Sequence, residues 1–153
     1  MKHLLVSLLL TFSPWMGLQA ADVPMPVYDA QLAERLGADV YGMRVYTLVL
    51  LAPGAAKIED QEERARLQQG HLAHIRKMAE EGHLVLAGPF LDAADLRGLF
   101  VLATEDLDKA RALVAKDPAV QAGTLDMRLE RWYGSAALPE LTDIHARIAR
   151  EQP

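Results

Sequence analysis

The 153 residues are enough for one domain with a substantial core and too few to divide comfortably into two. A hydrophobic share of 51% and a charged share of 24% are ordinary for a folded globular chain and exclude global disorder. The formal net charge of −5, without a Lys/Arg cluster, argues against a nucleic-acid partner. Because the chain has no cysteine, disulfides, thiol nucleophiles and thiolate metal ligands are excluded.

Residues 1–20 have the pattern of a secretory signal peptide. A basic start, MKH, precedes the short apolar run LLVSLLLTF, and GLQAAD offers small residues for cleavage. The run is too short to span a bilayer, and no cysteine follows it that could carry a lipid. We therefore expect a periplasmic or secreted protein that begins near Ala21 and has no membrane attachment after signal removal. A buried N-terminal helix is the alternative.

Residues 21–43 form an extended lead-in followed by a short helix. The lead-in, ADVPMPV, contains two prolines, and YDAQLAERLG then predicts a helix that Asp29 caps and Gly37 ends. The next segment, RVYTLVLL, is apolar at both alternating sets of positions. This pattern predicts a central strand that is buried on both faces.

The rest of the chain alternates between strands and helices. Residues 59–81 predict a long helix that stops at Gly82, and HLVLAG and LFVLAT predict two strands. TEDLDKARALVAKD predicts a second helix, which ends because Pro118 disfavours helical geometry at Asp117. TLDMRLERWY alternates between apolar and polar residues, as in a strand with one solvated face. Residues 135–153 predict an amphipathic helical tail with Leu141, Ile144 and Ile148 on one side.

The predicted order of the main elements is β-α-β-β-α-β. This order indicates an α+β plait of the ferredoxin-like type in residues 44–134, with added helices at both ends. Two helices cover only one face of a four-stranded sheet, yet the strands at residues 44–51 and 99–103 are apolar on both faces. We therefore expect a second subunit to bury the other face in a homodimer.

His71 lies within the apolar stripe of the long helix. At ~100° per residue, and with Leu67 at zero, His71 falls near ~40° and Ile75 near ~80°. The imidazole therefore points at the sheet, where it needs a hydrogen-bond partner. One hypothesis is a core histidine bonded to a backbone carbonyl, and another is a partly buried general acid/base. A metal site formed by His71, His74 and His83 is the third.

Four further residues have two interpretations each. In one interpretation, Asp117 in KDPAVQAG stabilises a turn before a proline. In the other, its carboxylate orients an imidazole or accepts a proton. Trp132 and Tyr133, near the end of the last strand, are either core anchors or the wall of a small pocket. Arg97, just before the third strand, is either a solvated loop residue or an anion clamp. The sequence alone leaves these alternatives open.

Four segments together resemble one family. The segments YTLVLLAPG, GHLAHIRKMAEEGHLVLAGPF, LRGLFVLATEDLDKARALVAKDPAVQAG and RLERWYG are similar to those of the YCII-related domain, the YciI-like proteins. The resemblance covers roughly residues 44–134. It implies a dimeric α/β barrel similar to the muconolactone isomerases, and a histidine–aspartate pair suspected of catalysis. That pair falls on His71 and Asp117, whereas His74 has no counterpart.

Two main functional hypotheses follow. The first is a cofactor-independent enzyme, an isomerase or lyase, in which His71 and Asp117 perform acid–base chemistry on a small organic molecule. The sequence contains no phosphate loop, no nucleophile elbow and no dinucleotide fingerprint. The second is a non-catalytic binding or structural dimer in which His71 serves the core. A metal-binding periplasmic protein is a third, weaker alternative.

Overall fold

The computed structural model describes residues 27–151. The predicted signal peptide at residues 1–20 and most of the proline-containing lead-in lie outside the described residues. The first helix, α1 (Ala30–Leu36), begins and ends with the residues that the sequence predicts. The Asp29 carboxylate accepts a hydrogen bond from the Leu32 amide, and Gly37 closes the helix at a φ of 65°, a left-handed conformation that favours glycine.

Four strands form one antiparallel sheet in the order β2-β3-β1-β4. The chain is therefore an α+β protein, as predicted. The elements after α1 are β1 (Met43–Pro53), α2 (Gln61–Glu80), β2 (Leu84–Pro89), β3 (Gly98–Leu102), α3 (Leu107–Val114), α4 (Pro118–Gln121), β4 (Leu125–Ser135), a 3-10 turn (Leu138–Glu140) and α5 (Leu141–Ile148). Within residues 27–151, no helix is long and apolar enough to cross a membrane.

The main core lies between one face of the sheet and the helices α2 and α3. Val49 and Phe100 from the central strands pack there against Met78 of α2 and Val114 of α3. Each large apolar side chain removed from water in this way contributes about 1.5–3 kcal/mol. Strand β4 shows the predicted alternation, because its apolar side chains contact this core while the residues between them are exposed; the apolar members are Leu125, Met127 and Leu129.

The second face of the sheet is covered in part by the chain itself. Tyr46, Val85 and Val101 are buried there, and Leu138 of the C-terminal tail packs against them. The Trp132 ring lies beside Tyr46, with ring centroids 6.0 Å apart. The half-buried side chains nearby include Leu48 and Leu99. The tail therefore takes part of the face that the sequence analysis assigned to a second subunit.

Helix α5 keeps its apolar side largely in solvent. Leu141, Ile144 and Ile148 are 43%, 49% and 73% exposed, respectively. The tail is joined to α1 by an ion pair between Arg35 and Glu140, whose nitrogen and oxygen lie 2.9 Å apart. Because both groups are exposed, this ion pair contributes little to stability. The predicted amphipathic helix is present, and its apolar stripe is not buried within residues 27–151.

The segment around Pro118 differs from the prediction. The second main helix, α3, already ends at Val114, so Pro118 does not terminate it. Instead Pro118 begins a separate short helix, α4, for which Asp117 is the N-cap. A proline suits the first position of a helix because its fixed φ is helical and its missing N–H has no partner there in any case. Helix α4 was not predicted, and Asp117 begins this helix instead of ending the preceding one as predicted.

Candidate functional site

A cavity of about 710 Å³ lies between α2 and one end of the sheet. It is bounded by the end of β1, the beginning of β3 and the beginning of β4, and by the connection from β1 to α2. Its volume is within the range of pockets that bind small organic molecules. The wall includes Leu51, Leu67, His71, Arg97, Phe100 and Leu125.

His71 and Asp117 meet beside this cavity. His71 Nδ1 lies 2.6 Å from Asp117 Oδ2, a contact between residues 46 positions apart in the chain. The His71 side chain is 14% exposed and the Asp117 side chain is fully buried. The His71 ring also stacks on Phe100 of β3, with centroids 6.0 Å apart and the ring planes at 27°. The imidazole is thus held on one edge by a carboxylate and on one face by an aromatic ring.

The second ring nitrogen of His71, Nε2, is accessible, and His71 lines the cavity. Nε2 makes no hydrogen bond to any of residues 27–151, and no buried side-chain nitrogen or oxygen in that range lacks a partner. Nε2 is therefore not a buried atom, and the cavity is the space that His71 lines. Because an ionised carboxylate only accepts hydrogen bonds, Nδ1 carries the proton and neutral His71 presents Nε2 as a basic lone pair.

Asp117 is positioned by two hydrogen bonds, one to each carboxylate oxygen. Oδ2 faces His71 Nδ1, and Oδ1 accepts from the Ala119 amide at 2.9 Å as the N-cap of α4. Burial raises the pKa of the Asp117 carboxyl, but the hydrogen bond and charge of His71, together with the Ala119 amide, outweigh it and lower this pKa below 3.8. Asp117 is therefore an ionised acceptor near neutral pH. Both interpretations of Asp117 apply to it, since it is a turn residue and it also contacts an imidazole.

His74 has the surroundings that the sequence analysis considered for a core histidine. Its Nε2 lies 3.1 Å from the backbone carbonyl oxygen of Leu113 on α3. His83, after α2, instead has its ring nitrogen 4.0 Å from a Glu81 carboxylate oxygen. Within residues 27–151, no group of three or more histidine, aspartate or glutamate side chains is arranged to hold a metal ion.

The remaining candidates are divided between two places. Arg97 lines the cavity, together with two cations that the sequence analysis did not single out, Lys57 and Arg64. Trp132 and Tyr133 do not line it; they are 40% and 48% exposed and so are not core anchors either. The Tyr133 hydroxyl donates a hydrogen bond to Asp39, which raises the pKa of Tyr133. The sequence signal for these two cations is their position. Lys57 lies in the connection after β1, and Arg64 lies in the first turn of α2.

The geometry of the His71 site suits proton transfer. A neutral imidazole can remove a proton at Nε2, and the adjacent carboxylate stabilises the imidazolium that forms. The walls of the cavity are mainly apolar, so a ligand there is largely removed from water. Such a site can move a proton between two atoms of one small molecule, or remove a proton while a leaving group departs.

Comparison with known proteins agrees with the resemblance noted from the sequence. The uncharacterized protein YjpA of Bacillus subtilis (strain 168) is 28% identical over 88 residues, which is 58% of this chain and 95% of that protein. A solved structure, the 5-chloro-2-hydroxyhydroquinone dehydrochlorinase TftG from Burkholderia phenoliruptrix AC1100 in complex with 2,5-dihydroxybenzoquinone, aligns with 56% of this chain and 92% of that chain, at 22% identity and a TM-score of 0.41. The sequence model of the YCII-related domain matches residues 43–132, more than half of the chain, and the chain therefore belongs to the YCII-related domain family.

Proposed function

We propose that this chain is a cofactor-independent acid–base enzyme, an isomerase or lyase, acting on a small organic molecule in the His71 cavity. The observation that carries the proposal is the contact of 2.6 Å between His71 Nδ1 and Asp117 Oδ2 at the wall of that cavity. A buried carboxylate that fixes one imidazole nitrogen and leaves the other accessible is the arrangement that general base catalysis needs.

In the proposed reaction, His71 acts first as a base and then as an acid. Nε2 takes a proton from the substrate, and Asp117 stabilises the resulting imidazolium through the Nδ1 hydrogen bond. The proton then returns from Nε2 to another substrate atom in an isomerisation, or to the departing group in an elimination. In either case His71 ends in its starting protonation state. Asp117 accepts a hydrogen bond throughout and is a positioning residue.

We further propose that the mature protein is an exported homodimer of ferredoxin-like plaits, paired as a dimeric α/β barrel, with no nucleic-acid partner and no membrane attachment. The strand order β2-β3-β1-β4 with helices on one face supports the plait. The half-buried apolar residues Leu48 and Leu99 on the other face support the pairing. The pattern of residues 1–20 supports export to the periplasm or the medium.

The acid–base proposal is tested by comparing His71→Gln with His74→Gln. Small lactones, enolisable carbonyl compounds and substituted hydroxyaromatic compounds are incubated with the protein in deuterated water, and NMR follows deuterium incorporation, isomerisation and elimination. We expect His71→Gln to reduce turnover about 10²–10⁴-fold, because a positioned acid/base contributes that much. His74→Gln keeps turnover within a few-fold of the wild type, since His74 bonds a helix carbonyl and does not line the cavity.

Circular dichroism and thermal unfolding show whether both variants are folded. If folded His71→Gln turns over the same compound as fast as the wild type, or if His74→Gln loses as much activity, His71 is not the acid/base. Unchanged turnover in His71→Gln would favour the non-catalytic module, in which the cavity only binds its ligand.

A further inference from the structure

The charged side chains that line the cavity are all cationic. Lys57, Arg64 and Arg97 line it, and within residues 27–151 no aspartate or glutamate does. This lining contrasts with the chain as a whole, whose formal net charge is −5. Asp117 does not offset the cations, because it is fully buried, bonded to His71 and absent from the wall. The site therefore attracts an anion within an acidic protein.

The three cations have different roles. Arg64 is occupied, because its Nη1 donates to the backbone carbonyls of Ile58 and Glu59 and so fastens the connection between β1 and α2. Lys57 and Arg97 are exposed, and their side chains form no hydrogen bond or ion pair within residues 27–151. These two cations are thus available to a ligand at the cavity.

Arg97 is the better placed of the two available cations because its backbone is fixed. The Arg97 amide donates to the Leu51 carbonyl oxygen at 2.7 Å, and its carbonyl oxygen accepts from the Phe90 amide at 2.9 Å. The next residue, Gly98, begins β3, the strand that also carries Phe100 beneath His71. Arg97 thus starts from the same strand as the ring that supports the imidazole. A guanidinium binds a carboxylate through two parallel hydrogen bonds, which gives orientation as well as affinity.

The interior of the cavity is apolar. Leu67 and Ile75 of α2, Leu51 of β1 and Leu125 of β4 form much of the wall, with Phe100 below them. Two polar side chains, Gln68 and Thr124, also line it, and the Thr124 hydroxyl already donates to the Ala119 carbonyl oxygen. A wall of this composition favours a hydrocarbon ring or chain over a sugar or another polyol. The ligand that fits both features has an apolar body and one anionic group.

We propose that the substrate of the His71 site is a small organic acid with an apolar body, and that Arg97 binds its carboxylate. This inference rests on the proposed function, because it names the substrate class of the same site. Arg97 anchors the acid at the cavity wall while the apolar body occupies the interior beside His71. Lys57 adds attraction without the paired geometry, so Arg97 is the specificity-determining residue.

The test measures binding and not turnover. The full mature chain is titrated with three acids and their neutral amides: benzoate and benzamide, phenylacetate and phenylacetamide, hexanoate and hexanamide. Amide and imidazole NMR signals of His71, Arg97 and Phe100 report binding in the cavity. We expect each acid to bind about tenfold more tightly than its amide, or better, as a charge-assisted hydrogen-bond pair predicts. Arg97→Gln removes this preference, and Arg97→Lys restores part of it.

Arg128→Gln is the matched control, since Arg128 is an exposed arginine of β4 that does not line the cavity. It removes the same charge and leaves the preference for acids unchanged. Equal binding of acids and amides, an unchanged preference in Arg97→Gln, an equal loss in Arg128→Gln, or no binding of any acid overturns the proposal. Acid binding that depends on Arg97, combined with unchanged turnover in His71→Gln, overturns the proposed function and leaves the anion site standing.

Discussion

The ring of Pro118 lies against Gly70 so closely that a Cβ on Gly70 would be 3.0 Å from Pro118 Cγ. These residues precede and follow the catalytic candidates in the chain, since Gly70 is next to His71 and Pro118 is next to Asp117. The missing side chain lets α4 approach α2, and this approach accompanies the contact between the imidazole and the carboxylate. Gly70 therefore leaves room for this approach beside the His71–Asp117 pair, although it carries no functional group.

Gly70→Val tests whether the approach of α4 to α2 depends on the missing side chain at Gly70. The branched side chain would enter the space of the Pro118 ring, so we expect α4 to move and the bond between His71 Nδ1 and Asp117 to lengthen. Overpacking of this kind destabilises a fold by about 1–3 kcal/mol. The measurements are chemical unfolding and the downfield NMR signal of the His71 Nδ1 proton, which should weaken or move.

Ala65→Val is the control for Gly70→Val, because it places the same residue at an exposed position of α2. Its effect should stay within about 0.7 kcal/mol, the range of helix propensities. A Gly70→Val protein with wild-type stability and an unmoved Nδ1 signal would show that the approach of α4 does not depend on glycine.

Asp117→Asn should lose stability at neutral pH. The carboxylate accepts from His71 at one oxygen and from the Ala119 amide at the other, whereas asparagine has one acceptor oxygen. Because asparagine is a good N-cap, we expect it to keep the Ala119 bond and lose that of His71. A hydrogen bond to a charged group contributes about 1.5–3 kcal/mol, so the free energy of unfolding should fall by about that amount near pH 7.

The stability of Asp117→Asn should also depend on pH differently from that of the wild type. Since the pKa of Asp117 is lowered in the folded state, the unfolded chain binds more protons as the pH falls. The stabilisation is thus fully present above the ordinary value of 3.8 and is lost as the pH falls through the lowered pKa. Urea unfolding measures the free energy of unfolding of the wild type and of Asp117→Asn from neutral to strongly acidic pH. The difference between these two free energies should become smaller as the pH falls. A constant difference would contradict the lowered pKa.

The helices and strands that were predicted correctly depend on local sequence patterns, namely helix caps, turn residues and the spacing of apolar residues. The cap at Asp29 and the glycine at Gly37 fix α1, and the alternation of Leu125, Met127 and Leu129 gives β4 its buried face. These features depend on residues within a few positions of one another, so the order of strands and helices could be predicted from periodicity and turn residues.

The contact between His71 and Asp117 could not be derived from periodicity. It joins positions 46 residues apart and depends on α4, a four-residue helix that the sequence analysis missed. It is accompanied by the close approach of Gly70 and Pro118, which no local pattern predicts. The two residues were identified through the resemblance to the YCII-related domain, and their contact is seen only in the structure. Arg97 was a candidate anion clamp on sequence grounds, but its place beside Lys57 at one cavity could not be predicted, because the two residues come from separate connections.

Removal of a signal peptide during export would give the mature protein a specific N-terminus. Residues 1–20 combine a basic start, a short apolar run and small residues near the expected cleavage site, so we expect a product that begins near Ala21. Intact-mass measurement of protein from the periplasmic or secreted fraction checks this. Protein recovered there that still carries MKHLLV would contradict signal cleavage.

The oligomeric state tests how the second face of the sheet is completed. Tyr46 and Val101 are already buried there and Leu138 of the tail packs against them, whereas Leu48 and Leu99 are only half-buried. If a second subunit covers these residues, Leu48→Lys places an unpaired charge in the interface and should weaken dimerisation by more than about tenfold. Leu91→Lys, at a loop position that is 88% exposed, makes the same exchange away from the sheet and should leave the dimer intact. Light scattering at micromolar concentration measures both. A wild-type protein that is monomeric at this concentration would mean that the tail, with Leu138, is the only cover that the face requires.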